Sequence, residues 1–251
     1  MSTNELKDPI NTSILFELDK YFSFLTKLYN LKKFPKVLML TGHKGLGKFT
    51  LFNHFLHLIK DENNYISKNK SFDIKSSFHK QLTNETCSSV IYLPGNHFKN
   101  IKVDDIRDLK STIYKTSISN NERYIILDDI ELFNQNSLNA LLKIIEEPGS
   151  NDFFVLINNK SRPLLSTIYS RSVELKFILS NNERIKIIES LINKFKLEVL
   201  VDFKFIYLTP GNFLLFNSIC KDKKINLDGE YFDNLRLLLN TYKRTKDLNL
   251  I

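Results

Sequence analysis

Short apolar runs alternate with amphipathic stretches over residues 14–177, and amphipathic stretches alone follow. Ile14, Leu18, Phe22, Leu25 and Leu28 fall at helical spacing, which predicts an N-terminal helix over 14–31. Residues 37–40 read as a buried strand that enters a glycine-rich turn and then a helical pattern through Lys60. Residues 61–86 are polar, rich in Asn, Ser and Lys and weakly periodic, so an irregular, partly mobile insertion is expected. A strand at 90–93 follows, and residues 101–107 open a helix to about 118 with Ile106, Leu109 and Ile113 inward and acidic residues in its first turn. Residues 124–127 form the next buried strand. Leu138, Leu141, Leu142 and Ile145 mark one face of a helix capped by Asn134 or Asn136 and stopped by Pro148. A strand at 153–157, a short helix within 162–172 with Pro163 near its start, and a strand at 173–177 complete the alternation. The fold class expected is α/β, a five-stranded parallel sheet flanked by helices. From residue 180 only helices are expected, at 182–196, 203–208, 213–220 and 231–242, with a turn at 209–212. The division is an α/β domain over 1–179 and a small helical domain over 180–251.

Composition changes this picture little. The net charge of +8, from 36 Lys and Arg against 28 Asp and Glu, invites a nucleic-acid reading. The lysines are spread among Asn, Ile and Phe without charge blocks, so the charge reads as solvated surface. Cys87 and Cys220 lack any paired spacing, which supports neither a zinc site nor a disulfide framework. No apolar run reaches membrane-spanning length and none follows a basic start, so a cytoplasmic setting without a membrane partner is expected.

Candidate chemistry lies at two strand ends. Strand 37–40 runs into Gly42, Gly45, Gly47 and Lys48, and strand, glycine-rich turn and helix in succession is the setting of a phosphate loop. Glycines let backbone N–H groups close on phosphate oxygens, the helix start adds a positive dipole end, and Lys48 adds a point charge. The match breaks at Phe49, which occupies the position where a hydroxyl holds Mg²⁺. Thr50 comes one residue late, about 100° further round the helix, so magnesium coordination is not expected. A glycine-rich turn that merely packs tightly remains the alternative. The strand at 124–127 ends in Asp128 and Asp129, where open α/β sheets bind ligands. The strand at 153–157 ends in Asn158 and Asn159, an amide edge that either senses a phosphate or caps a turn.

Taken together, Gly42 to Thr50, residues 101–107, the run Asn139-Ala140-Leu141-Leu142-Lys143-Ile144-Ile145-Glu146-Glu147-Pro148, and Ser170-Arg171-Ser172 resemble the AAA+ clamp-loader family of bacterial DNA polymerase III, in its delta-prime group. The resemblance implies an AAA+ sheet domain followed by a helical lid, with the third, collar-forming domain missing or cut to 229–251. It also implies which residues are altered. Active motors carry Asp then Glu at the acidic strand end, whereas Asp129 here is one methylene short. Asn212 stands where motors carry a lid sensor arginine, and Asn158 occupies the other sensor-like position. The loop residues Gly42, Gly45, Gly47, Lys48 and Thr50, with Asp128 and Asp129, are thus expected to be a vestigial nucleotide site retaining at most residual ATP or phosphate binding. The residue that keeps a role is Arg171, similar to the arginine of the family's Ser-Arg-Cys signature, which reaches a neighbour's γ-phosphate. Without the resemblance, pairing with Glu174 or a helix carbonyl is the default for such an arginine. No zinc is expected, because 61–86 has no cysteine where relatives carry a four-cysteine module. The implied partners are motor subunits, a delta subunit, the sliding clamp and primer-template DNA, and any polymerase activity would come by association. Two other readings stay open: a divergent ATP-hydrolysing motor using Asp129 and Thr50, and a basic DNA-binding module.

Overall fold

The computed structural model describes residues 8–93, 104, 106, 111, 121–225, 227 and 231–245. They fall into two compact units. A sheet unit holds residues 13–43 and 48–178, and a helical unit holds 8–12, 44–47 and the chain from Leu179 onward.

In the sheet unit, helix α1 (Asp19–Asn30) precedes strand β1 (Val37–Thr41), and helix α2 (Lys48–Lys60) follows the loop after it. Strands β4 (Val90–Leu93), β5 (Arg123–Leu127), β6 (Asp152–Asn158) and β7 (Val173–Lys176) complete a parallel sheet of order β4-β5-β6-β1-β7. Every residue of β1 and β5 is buried, as their continuous apolar runs require of strands covered on both faces. Helix α4 (Gln135–Ile145) starts under an Asn134 cap, whose side chain accepts from Ser137 N at 2.8 Å. Its Leu138, Leu141, Ile144 and Ile145 join Met39, Ile125, Leu127, Phe154 and Leu156 in one core. The short helix α5 (Ser166–Tyr169) begins three residues after Pro163.

Several expectations are corrected. Helix α1 is shorter at its start, because Ile14 bridges to Ser71 and Leu15 N donates to Lys70 O. The insertion at 61–86 is ordered. It contains a hairpin of β2 (Tyr65–Ile66) and β3 (Ser71–Phe72) and helix α3 (Ser77–Thr83), capped by Ser76. Its order comes from a few buried rings, Tyr65, Phe72, Phe78 and His79, packed on the His54 and His57 face of α2. The helix expected from residue 101 to 118 lies outside the described residues apart from positions 104, 106 and 111. Of these Ile106 is fully buried in the core.

The helical unit contains α6 (Asn181–Phe195), α7 (Pro210–Asp222) and α8 (Tyr231–Thr245). A capping box between Ser180 and Glu183 starts α6. Residues 203–208, expected to be helical, form turn and irregular backbone. The expected turn at 209–212 is instead the start of α7, with Thr209 as N-cap and Pro210 in the first helical turn, the pairing in which proline's fixed φ and missing N–H suit a helix start. Ile188, Val201, Phe203, Phe213, Ile219, Cys220 and Ile225 form its core. Among the described residues no helix is long and apolar enough to cross a membrane.

Candidate functional site

The C-terminal ends of β1, β5 and β6 lie side by side, in the register Thr41–Asn158 and Leu127–Leu156. That places the start of the glycine loop, the two aspartates and the two asparagines at one sheet edge. Gly42 N donates to Asn158 O at 3.1 Å, tying the loop's start to β6. The Lys48 ammonium is buried and donates to Gly42 O at 2.7 Å and His43 O at 2.8 Å. It therefore binds the loop's own carbonyls.

At the first turn of α2 the ring of Phe49 is buried and stacks obliquely on Tyr92 of β4, with 4.4 Å between centroids. The Tyr92 hydroxyl donates to Asp128 Oδ2 at 3.4 Å. The other oxygen, Asp128 Oδ1, accepts from Asp129 N at 2.8 Å and from Asn159 Nδ2 at 3.5 Å. Asp129 is buried in the left-handed backbone region at φ 48°, and its carboxylate accepts from Asn159 Nδ2. Both aspartates are thus engaged by neutral donors of this same unit. A magnesium-bound nucleotide needs a hydroxyl and an aspartate oxygen facing a shared space. Here Phe49 brings no hydroxyl and packs its ring on Tyr92, whose own hydroxyl is bonded to Asp128, so the residues present do not fit the ion.

The sequence points to Asn158 as the sensor-like amide. The structure directs Asn158 elsewhere: its Nδ2 donates to Tyr169 OH at 3.0 Å and its Oδ1 accepts from Lys160 N at 2.9 Å. Asn159 is the amide that reaches the aspartates, and in the sequence it is legible only as the second member of a doublet. Glu131, which sequence reasoning misses, is buried and accepts from Asn159 N at 3.1 Å and Ser161 Oγ at 2.8 Å. It fixes the turn that carries Asn159. Tyr92 has no signal beyond its place at a strand end.

The remaining loop residues belong to the helical unit. Gly45 and Gly47 have φ of 83° and 81°, a region open to glycine at no steric cost. Thr209 Oγ1 donates to Lys44 O at 2.7 Å and Gly211 N to Gly45 O at 2.8 Å. A Cβ on Gly211 would lie 2.7 Å from Gly45 Cα, and one on Gly45 would lie 2.8 Å from Asn212 N. Asn212 itself sits in the first turn of α7, its N–H on Thr209 Oγ1 at 3.4 Å. Behind this start, Arg184 is buried with Nε and Nη2 on Asn181 Oδ1 and Nη1 on Leu208 O at 3.1 Å. It anchors the residue that precedes the Thr209 cap.

Arg171 lies just past α5, a third exposed. Its Nε donates to Glu146 Oε1 at 2.9 Å, Nη2 bonds the same oxygen, and Nη1 donates to Thr167 O at 3.1 Å and Ser170 Oγ at 3.4 Å. Of the two default expectations, Glu174 or a helix carbonyl, the carbonyl is met by Thr167 O of α5, while the carboxylate partner is Glu146, at the end of α4, in place of Glu174. Ser172 Oγ donates back to Ile168 O at 2.9 Å. Thr50 is half-buried in the first turn of α2. Among the described residues no cluster of His, Cys, Asp and Glu is arranged to hold a metal ion.

Residues 18–181 match the family described as DNA polymerase III, delta subunit. The chain is 30% identical over 145 residues to a DNA polymerase III subunit delta' of Buchnera aphidicola subsp. Baizongia pistaciae, covering 54% of this chain and 42% of that relative. It is 38% identical over 81 residues to the subunit delta' of Pseudomonas aeruginosa, covering 32% and 25%. It is 27% identical over 147 residues to a subunit gamma of Buchnera aphidicola subsp. Acyrthosiphon pisum, covering 59% and 39%. The matches span less than half the length of these relatives. The structure of C. elegans PCH-2 superimposes with a TM-score of 0.50 at 14% identity, covering 96% of this chain and 72% of that one, a likeness of fold alone.

Proposed function

The chain belongs to the DNA polymerase III delta-subunit family of clamp-loader proteins, and on that footing we propose that it serves DNA replication as a clamp-loader subunit that does not hydrolyse ATP and lends Arg171 to a neighbour's ATP site. The observation that carries the first half is the Phe49–Tyr92 pair on Asp128. With the hydroxyl position filled by a ring and Asp129 buried on Asn159, the edge has neither a metal seat nor a base presented to water. The second half rests on Arg171 in Ser-Arg-Ser, a planar fork whose charge stabilises a transferring phosphoryl group when supplied across a boundary. The partners under this reading are gamma- or tau-type motor subunits, a delta subunit, the sliding clamp and primed DNA.

The test is pre-steady-state ATP hydrolysis by the reconstituted loader. Arg171→Ala is expected to slow the neighbouring site by about 10³-fold or more, the range of arginine fingers; an unchanged rate overturns the finger. ATP turnover by the isolated chain that Lys48→Ala abolishes would establish a motor instead.

A further inference from the structure

Every nitrogen of the Arg171 guanidinium is engaged within its own subunit, and the engagement is two-sided. The Nε and Nη2 edge faces Glu146, whereas Nη1 is held by Thr167 O and Ser170 Oγ at the end of α5. The two sides differ in kind. The α5 contacts come from the arginine's own local turn, while Glu146 comes from α4, 25 residues earlier. Glu146 is also the negatively charged side of the arrangement, and its side chain is nearly half exposed. An ion pair in that setting is weak, within about 1 kcal/mol, so a multiply charged phosphate can displace it.

We infer that Glu146 is a latch that holds the Nε–Nη2 edge of Arg171 on its own subunit until a neighbour's triphosphate outcompetes it. This rests on the finger reading given above. Glu146 is a positioning residue here: it touches no nucleotide and acts only through Arg171. The latch withholds a fraction of the fingers from the neighbouring site, so the apparent affinity for ATP is reduced by that fraction. Once ATP is bound and Arg171 has moved over, Glu146 has been left behind, and Nη1 is still oriented by α5. The latch therefore acts on KM and leaves kcat alone.

The experiment uses the chain assembled with its motor subunits and follows ATP hydrolysis against ATP concentration. Glu146→Gln keeps the shape and removes the charge. It is expected to lower KM for ATP a few-fold, up to about fivefold, which is the roughly 1 kcal/mol ceiling of an exposed pair converted at 1.4 kcal/mol per tenfold, with kcat unchanged. Glu147→Gln makes the same charge change at the neighbouring exposed position and is expected to leave KM as it was. In an Arg171→Ala background, Glu146→Gln is expected to have no further effect. An unchanged or raised KM, a fall in kcat, or a KM shift that persists without Arg171 overturns the latch. If Arg171→Ala itself leaves hydrolysis untouched, the finger reading falls and takes the latch with it. If Arg171→Ala slows hydrolysis while Glu146→Gln moves nothing, only the latch is lost.

Discussion

At position 123 a positive charge is sealed inside the sheet. Arg123 and Asp152 are 4% and 6% exposed, opposite each other at the starts of β5 and β6, with Nε and Nη2 both 2.7 Å from Asp152 Oδ1. Removing one partner of such a pair leaves a buried charge without its counter-ion, which costs about 3–5 kcal/mol, far more than the pair itself contributes. Asp152→Ala is therefore expected to lower unfolding free energy by about 3–5 kcal/mol, measured by urea denaturation. The contrast with Arg171 is one of burial. The same fork on the same kind of carboxylate is nearly permanent at 123 and easily surrendered at 171, because only one of the two is desolvated. At this scale the candidate site is partly legible in the sequence. Phe49 and Asp129 stand out against a motif, but Tyr92, Asn159, Glu131 and Glu146 come from other strands, helices and turns, and no local pattern announces which side chains a sheet brings together.

Among the elements, the central strands β5, β6 and β1 and the amphipathic helix after β5 follow from apolar runs and 3.6-residue spacing, since burial on both faces leaves little choice of residue, whereas the edge strands β4 and β7 are only partly buried. The insertion at 61–86 does not follow from such patterns, because its order hangs on isolated rings that meet one histidine face of α2. His57 is the centre of that contact. It is fully buried, its ring stacks on Phe72 at 3.7 Å, Nδ1 lies 2.9 Å from Asn53 O, and Nε2 lies 3.4 Å from His79 Nδ1. With the Nδ1 proton given to Asn53 O, Nε2 is left to accept from His79, and a second proton would set two donors face to face. Burial above all, with His79 adding to it and Asn53 O and Asp61 opposing, pushes the His57 pKa down to about 4. The unfolded chain takes up that proton near the ordinary value of 6.5, whereas the folded chain resists it until about 4. Stability is then full above pH 6.5 and falls as pH drops toward 4, by about 3 kcal/mol at about 1.4 kcal/mol per pKa unit. Unfolding free energies of the protein and of His57→Phe, compared between pH 7 and 4.5, should show the slope flattened in the variant; equal slopes would assign the acid sensitivity to other groups.

For the whole molecule, the division into units does not respect the order of the chain. Residues 44–47 leave the sheet unit between β1 and α2 and pack with the start of α7. A boundary read from the change to helices alone places a single break near residue 180, since nothing local marks four loop residues as belonging elsewhere. The close approach of Gly45 and Gly211 is what makes the assignment physical. Gly211→Ala would set a methyl 2.7 Å from Gly45 Cα and 3.1 Å from its carbonyl oxygen, and neither backbone atom can swing aside as a side chain would. The expected result is a loss of about 1–3 kcal/mol, the usual range for overpacking, read as a lower melting temperature. An unchanged melting curve would mean that the close approach is dispensable.

That approach bears on how long a motif can outlive its ligand. On the proposed reading the loop no longer serves a nucleotide, yet the contact with Gly211 asks for glycine at position 45 by itself. Position 45 still demands a residue without a side chain, held there by Gly211 and the Thr209 cap. Glycine spacing by itself is therefore no sign of bound nucleotide, because backbone packing asks for the same residue at position 45.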